Sequence, residues 1–190
     1  VQALFEHDTI AYTGEQLANH WIYQRWGILG DAIVGFVGPC QVSLDNMVDL
    51  EDVRNADIIA SSSMLNFIIE VFGASLREGV LLQRLLITIL KDRILEICPD
   101  APLTRRGDDL FLNDSHKLSV SICAPSPTSV LIHAGLNVDA KGAPVVAAGL
   151  ASDLGIQGIS DLAEHVMKTL IDEWHDIQRS CWKVRSVGNS

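Results

Sequence analysis

The sequence predicts an α+β fold, a largely antiparallel mixed sheet flanked by helices. Three observations carry this. The interval from Glu78 to Cys98 has a helical apolar period, a second helical period runs on from Ser160, and most of the remaining apolar residues lie in short runs bounded by turn residues. At 190 residues and 48% hydrophobic, the chain can bury a substantial core, and one domain spanning residues 1–190 is expected.

Taken in order, ALFEHDTIAY reads as a strand ending at Thr13 and Gly14. EQLANHWIYQRWG reads as a short helix stopped by Gly27. Gly30 and Asp31 make a turn into AIVGFVGPCQVSL, a β-branched strand interrupted at Gly38 and Pro39. DNMVDLEDVRNAD differs in kind, with Asp45, Asp49, Glu51, Asp52 and Asp57 against Arg54 alone. MLNFIIEVF is a short apolar run that does not settle its own period, and strand is favoured over buried helix.

From Glu78 to Cys98, Leu81, Leu82, Leu85, Leu86, Ile89, Ile94 and Ile97 form an apolar stripe opposite Arg84, Lys91, Asp92 and Glu96, and Pro99 ends the helix. Three strands follow. The first carries Asp108 and Asp109, the second is opened by Lys117, and the third carries His133 and Asn137, with Asn113, Asp114 and Ser115 supplying a hairpin turn. Ser160 or Asp161 is expected to cap a last helix in which Leu162, Val166, Leu170 and Trp174 recur every four residues. APSPTS and KGAP are short enough to be loops, and no repeat period is visible.

Composition narrows the function. A net charge of -10, from 24 acids against 14 bases, argues against an electrostatic nucleic-acid footprint. No apolar run reaches a membrane span and no signal pattern opens the chain, so a cytoplasmic protein is expected. Cys40, Cys98, Cys123 and Cys181 are far apart, and the six histidines form no HxxxH or HxH pair. No metal site or disulfide framework is expected, and no cofactor is identified.

The chemistry is concentrated between Arg105 and Asp139, where charged groups interrupt β-rich sequence. Lys117, at the start of an amphipathic strand, can direct an ammonium toward a bound carboxylate or phosphate; a solvated turn lysine is the plain alternative. Asp109 is the second candidate catalytic residue, and Asp108 and Asp109 together could bind a cation, position Lys117 or accept ligand donors. Arg106, Asp108, Ser119, Ser121, His133 and Asn137 are candidate ligand-binding residues, joined by Asp49, Glu51 and Asp52 of the acidic segment. The plainer reading makes Arg106, Asp108 and Asp109 surface ion pairs and His133 a hydrogen-bonded structural residue. Strict alternation places Ser119 and Ser121 on the Lys117 face, the expected pocket wall, and sends Leu118, Val120 and Ile122 to the core.

RRGDDLFLNDSHKLSVSI resembles the biotin ligase pattern of a WPNDL strand, a turn and a KxxGI strand. IHAGLNVD resembles both the GxGINV strand of biotin ligases and the HGxxLNVD strand of octanoyl transferases. This likeness to the lipoate and biotin protein ligase superfamily covers roughly Met64 to Asp139. It implies a biotin/lipoate ligase-like fold in which Lys117 holds the place of the family's catalytic, carboxylate-contacting lysine. Across nearly the whole chain, MVDLEDV, RRGDDL, KLSVSI and IHAGLNVD resemble the Domain of Unknown Function 366 family, which is assigned to this fold and supplies no activity.

Two departures qualify the likeness. The acidic DNMVDLEDVRNAD stands where biotin ligases have a Gly/Arg-rich phosphate loop, and it would repel ATP unless Mg²⁺ bridged the charges. Ala148, in APVVAAGL, stands where octanoyl transferases have their nucleophilic cysteine, which leaves Cys123 as a remote alternative. The expected partner is a small-molecule ligand, a carboxylic acid or acyl-adenylate-like compound bound at Lys117. The alternatives are a noncatalytic homodimeric binding module, or recognition of a nucleotide or modified base by the paired acids.

Overall fold

In the computed structural model, which describes residues 1–55, 59–141 and 143–188, two sheets and four helices organise the chain. The elements are β1 (Gln2–Glu6), α1 (Trp21–Trp26), β2 (Ala32–Val42), α2 (Leu50–Asn55), β3 (Ile59–Phe72), α3 (Leu76–Ile97), β4 (Leu103–Arg106), β5 (Asp109–Leu112), β6 (His116–Lys117), β7 (Ser119–Pro125), β8 (Ser129–Asp139) and α4 (Ile159–Trp182). A five-stranded sheet has the order β1-β2-β3-β8-β7, and a three-stranded sheet the order β4-β5-β6. The β1 and β2 pair is parallel and the others are antiparallel, so the sheet is mixed and largely antiparallel as expected.

β3 lies at the centre and is covered on both faces. Leu65, Phe67, Ile69 and Val71 pack with α3 and α4, whereas Met64 and Ile68 pack with Ile10, Tyr12, Ile22 and Phe36 on the other side. Double-sided burial makes a strand read as a continuous apolar run, which is why MLNFIIEVF shows no period of its own. α3 begins with a complete capping box, in which Ser75 accepts from the Glu78 N–H and Glu78 accepts from the Ser75 N–H. Among the described residues, no helix is long and apolar enough to cross a membrane.

Local expectations fail where tertiary contacts intervene. The helix expected over EQLANHWIYQRWG begins only at Trp21, because His20 is left-handed at φ 61 and its N–H is held by the Glu70 carboxylate at 3.0 and 3.1 Å. The interruption at Gly38 and Pro39 is a register shift within a continuous β2, at which Ile10 and Tyr12 donate backbone bonds to Val37 and Pro39. Ser160 and Asp161 do not cap α4. Gly158 is its N-cap, with no side-chain hydrogen bond. The stripe predicted for α3 is displaced at both ends: Leu81 and Ile97 are exposed, whereas Gln83, Ile87 and Leu90 are buried.

The three strands that carry the polar cluster are divided between two sheets. Asp108 is not on a strand, but with Gly107 forms the turn between β4 and β5. The hairpin turn is confirmed: Asn113, Asp114 and Ser115 join β5 to β6, with Asn113 and Asp114 both at positive φ (50 and 60). Leu118 is the break between the small sheet and the large one: its N–H bonds Leu110 of β5, and its carbonyl accepts from Asn137 of β8.

Candidate functional site

A cleft of about 500 Å³ lies on the face of the large sheet opposite α3 and α4, a volume suited to a small organic ligand. Met64 of β3, His133 and Asn137 of β8, and Val120 and Ile122 of β7 contribute to it from the sheet. The small sheet adds Asp109 and Lys117, and the segment after β2 adds Met47 and Asp49.

Lys117 is fixed through its backbone. Its N–H donates to Val146 O and its carbonyl accepts from Ala148 N, both at 3.0 Å, and Asn137 Nδ2 also donates to that carbonyl at 3.3 Å. Lys117 pairs with Phe111, and Asp109 lies two residues along β5 on the same face, so the side chains meet with Nζ 2.9 Å from Asp109 Oδ2. Both retain some exposure, at 34% and 24%. The ammonium is therefore paired while still reachable from the cleft.

Asp108 is held from the helix side. Arg84 Nη1 stands 3.2 Å from its Oδ1, Gln83 Nε2 donates to its Oδ2 at 2.9 Å, and Ser121 Oγ approaches the same oxygen at 3.2 Å. These contacts tie the β4–β5 turn to α3, although Asp108 and Ser121 also reach the border of the cleft. Ser119 is buried and accepts the Leu110 N–H at 2.8 Å, outside the cleft.

The expected pocket wall on β7 is therefore corrected. Ser119 and Ser121 pair with Leu136 and Ala134, on the face that packs against the helices, while Val120 and Ile122 pair with Gly135 and His133 on the cleft face. Alternation is counted wrongly from Lys117 because the chain is irregular at Leu118, which packs into the helix-side core. A one-residue change of phase exchanges every side chain between faces.

His133 lies flat on Tyr12, with ring centroids 3.7 Å apart and an interplanar angle of 11°. Its Nε2 is 3.0 Å from Asn66 Oδ1. Burial pushes the imidazole down to about 3, so the ring is neutral at ordinary pH. Sequence reasoning missed Tyr12 and Asn66. Asn66 left a trace as an amide inside the apolar run MLNFIIEVF, as did Glu70, which accepts from Ser129 Oγ at 2.7 Å and from the His20 N–H. Tyr12 left none.

The remaining candidates divide. Asp49 lines the cleft and accepts the Glu51 N–H at 2.8 Å, whereas Glu51 is exposed and outside the lining. The Asp52 side chain and Asp57 lie outside the described residues. Arg106 lies over the Phe111 ring at 5.1 Å and 3.7 Å from Asp114, away from the cleft. Cys123 shares the helix-facing side of β7 with Ser121, and burial raises its thiol to about 11. Ala148 is fully buried. No described cysteine lines the cleft, and among the described residues no group of three or more His, Cys, Asp or Glu is placed to hold a metal ion.

The model of a domain of unknown function, DUF366, matches residues 1–185. The chain belongs to the DUF366 family. This DUF366 chain is 36% identical over 185 residues to an uncharacterised protein of Methanocaldococcus jannaschii, covering 95% of the chain and 82% of that protein. A solved protein of unknown function from Pyrococcus horikoshi superposes with a TM-score of 0.89 at 37% identity, covering 98% of this chain and all (100%) of that one.

More distant likenesses extend the fold. A biotin protein ligase mutant from Aquifex aeolicus in complex with biotin gives a TM-score of 0.62 at 13% identity, covering 94% of this chain and 72% of that one. A putative lipoate protein ligase from T. acidophilum with bound lipoic acid gives 0.56 at 14%, covering 90% and 86%. The DUF366 chain thus has a biotin/lipoate ligase-like fold.

Proposed function

We propose that the cleft binds a small carboxylic acid or acyl compound, with Lys117 receiving the carboxylate. One observation carries the reading: Lys117 is the single cation among the described residues lining the cleft, and it stands beside the apolar surface of Val120, Ile122 and Met64. A carboxylate can replace Asp109 as the partner of the ammonium, while a hydrocarbon portion covers the apolar floor. Asn137 and Asp109 hold Lys117 in place, and the fold neighbours with biotin and lipoic acid bound support the ligand class. If the bound acid is also activated, Lys117 and Asp109 are the pair next to the reacting carboxyl.

Thermal denaturation with lipoic acid, biotin and octanoate tests this reading. At least one acid is expected to raise Tm in the wild type and to lose that effect in Lys117→Ala. Equal stabilisation of both proteins would remove Lys117 from the site.

A second reading is a noncatalytic module acting as a homodimer, and what faces the cleft supports its noncatalytic part. The described lining has no thiol to carry an acyl group, and the segment after β2 presents Asp49 rather than a cation. ATP–pyrophosphate exchange with any of these acids would defeat this second reading, as would a monomeric mass in solution.

A further inference from the structure

We infer that the cleft selects carboxylic acids that carry a neutral N–H or O–H donor at the end remote from the carboxylate, and that His133 Nδ1 is the acceptor that reads it. This rests on the binding reading above and names its ligand class more closely.

The hydrogen-bond geometry determines the tautomer. Asn66 Nδ2 donates to Met64 O at 3.0 Å, a carbonyl that can only accept. Asn66 Oδ1 therefore points at His133 Nε2, 3.0 Å away, and as an acceptor it requires the proton on Nε2. Neutral imidazole has one N–H, so Nδ1 holds a lone pair. Among the described residues nothing donates to it. Among the described residues the sealed side-chain polar atoms without a partner are Arg93 Nε and Thr104 Oγ1, and Nδ1 is not one of them. The small remaining exposure of His133, 3%, thus includes this nitrogen, and His133 lines the cleft.

A buried acceptor left unpaired by a ligand that displaces water is costly, so a ligand that donates there is preferred over one that cannot. The donor is a neutral group because Tyr12, Met64 and Ile122 surround this part of the cleft with little to solvate a charge. The spacing follows from β8. Asn137 meets the Lys117 carbonyl, and His133 is four residues back on the same face, roughly 13 Å along the strand. Between them Gly135 has no side chain, and Met64 occupies its place, with Sδ 2.3 Å from where a Cβ would stand. The ligand class is therefore a medium-length acid with an apolar middle and a terminal amide or hydroxyl.

The test uses three matched probes: octanoate, ω-hydroxyoctanoate and the monoamide of suberic acid, titrated calorimetrically into wild type, His133→Phe and Lys117→Ala. In the wild type the hydroxyl or amide probe is expected to bind roughly tenfold more tightly than octanoate. In His133→Phe the ratio falls to about one. Octanoate binding as well as both donor probes in the wild type, or a ratio preserved in His133→Phe, would overturn the inference and leave the carboxylate reading standing. Failure of every acid to bind the wild type, or unchanged binding to Lys117→Ala, would overturn both. A second readout needs no variant: in protein with isotope-labelled histidine, the His133 Nδ1 resonance should move with the amide probe and not with octanoate. An Nδ1–H tautomer in the free protein would also refute the inference.

Discussion

Lys117 Nζ lies 2.9 Å from Asp109 Oδ2, and both residues belong to the small three-stranded sheet rather than to the large sheet that supplies much of the cleft. A hairpin turning at Asn113 and Asp114 thus brings a cation and its counter-ion to a surface made largely of apolar side chains. The arrangement makes Asp109 a competitor for whatever anion Lys117 receives.

Asp109→Asn should therefore tighten binding of a carboxylic acid, by severalfold in Kd, because the ammonium no longer has to exchange one carboxylate for another. The stability cost should be small, about 0 to 1 kcal/mol for a partly exposed pair. Calorimetric titration alongside chemical denaturation checks both. Weaker binding in Asp109→Asn would mean that Asp109 orients Lys117 more than it competes.

His133 makes stability fall on the acid side. Its folded value is lowered from 6.5 to about 3 by burial, so between these limits the unfolded chain takes up a proton that the folded protein declines. The contribution is fully present above about pH 6.5 and is lost as pH falls toward 3. His133→Phe keeps a ring against Tyr12 and cannot titrate. Its Tm should be lower near neutrality, with Asn66 Oδ1 deprived of its partner, but should decline less between pH 7 and pH 4. Asp49, Asp109 and Lys117 line the same cleft and are common to both proteins. Parallel pH profiles would contradict a buried neutral histidine.

Gly38 is a packing requirement for the cleft. A Cβ there would stand 1.9 Å from Ile10 O, where the Ile10–Tyr12 segment lies against β2. Gly38→Ala should push that segment outward, with a loss of about 1–3 kcal/mol from overpacking. Tyr12 should also separate from His133, which near-ultraviolet circular dichroism would record. An unchanged denaturation midpoint would show that the segment is free to move.

Thiol chemistry should be peripheral. Cys181 is exposed, whereas Cys123 is half-buried on the helix-facing side of β7 with its thiol pushed up to about 11. Alkylating reagents should label Cys181 first, and Cys123→Ser should leave acid binding unchanged. Mass spectrometric detection of an acyl adduct on Cys123 would reverse the assignment.

The sequence by itself determined what neighbouring residues control. The period of α3 and its stop before Pro99, the strand over MLNFIIEVF and the hairpin at Asn113 and Asp114 each follow from side chains a few positions apart, and together they specify a largely antiparallel sheet flanked by helices. That Asp108 or Asp109 could position Lys117 was one of the readings the sequence left open, and the short hairpin selects Asp109. Contacts between distant segments had to be decided by the tertiary structure. Leu118 passes from one sheet to the other and reverses which face of β7 meets the cleft. His133 and Asn66 are 67 residues apart, so the proton on Nε2 and the lone pair on Nδ1 exist only once β3 and β8 are paired. Local periodicity carries no information about such pairs, because their energy arises from burial and hydrogen bonding between elements that the chain brings together only on folding.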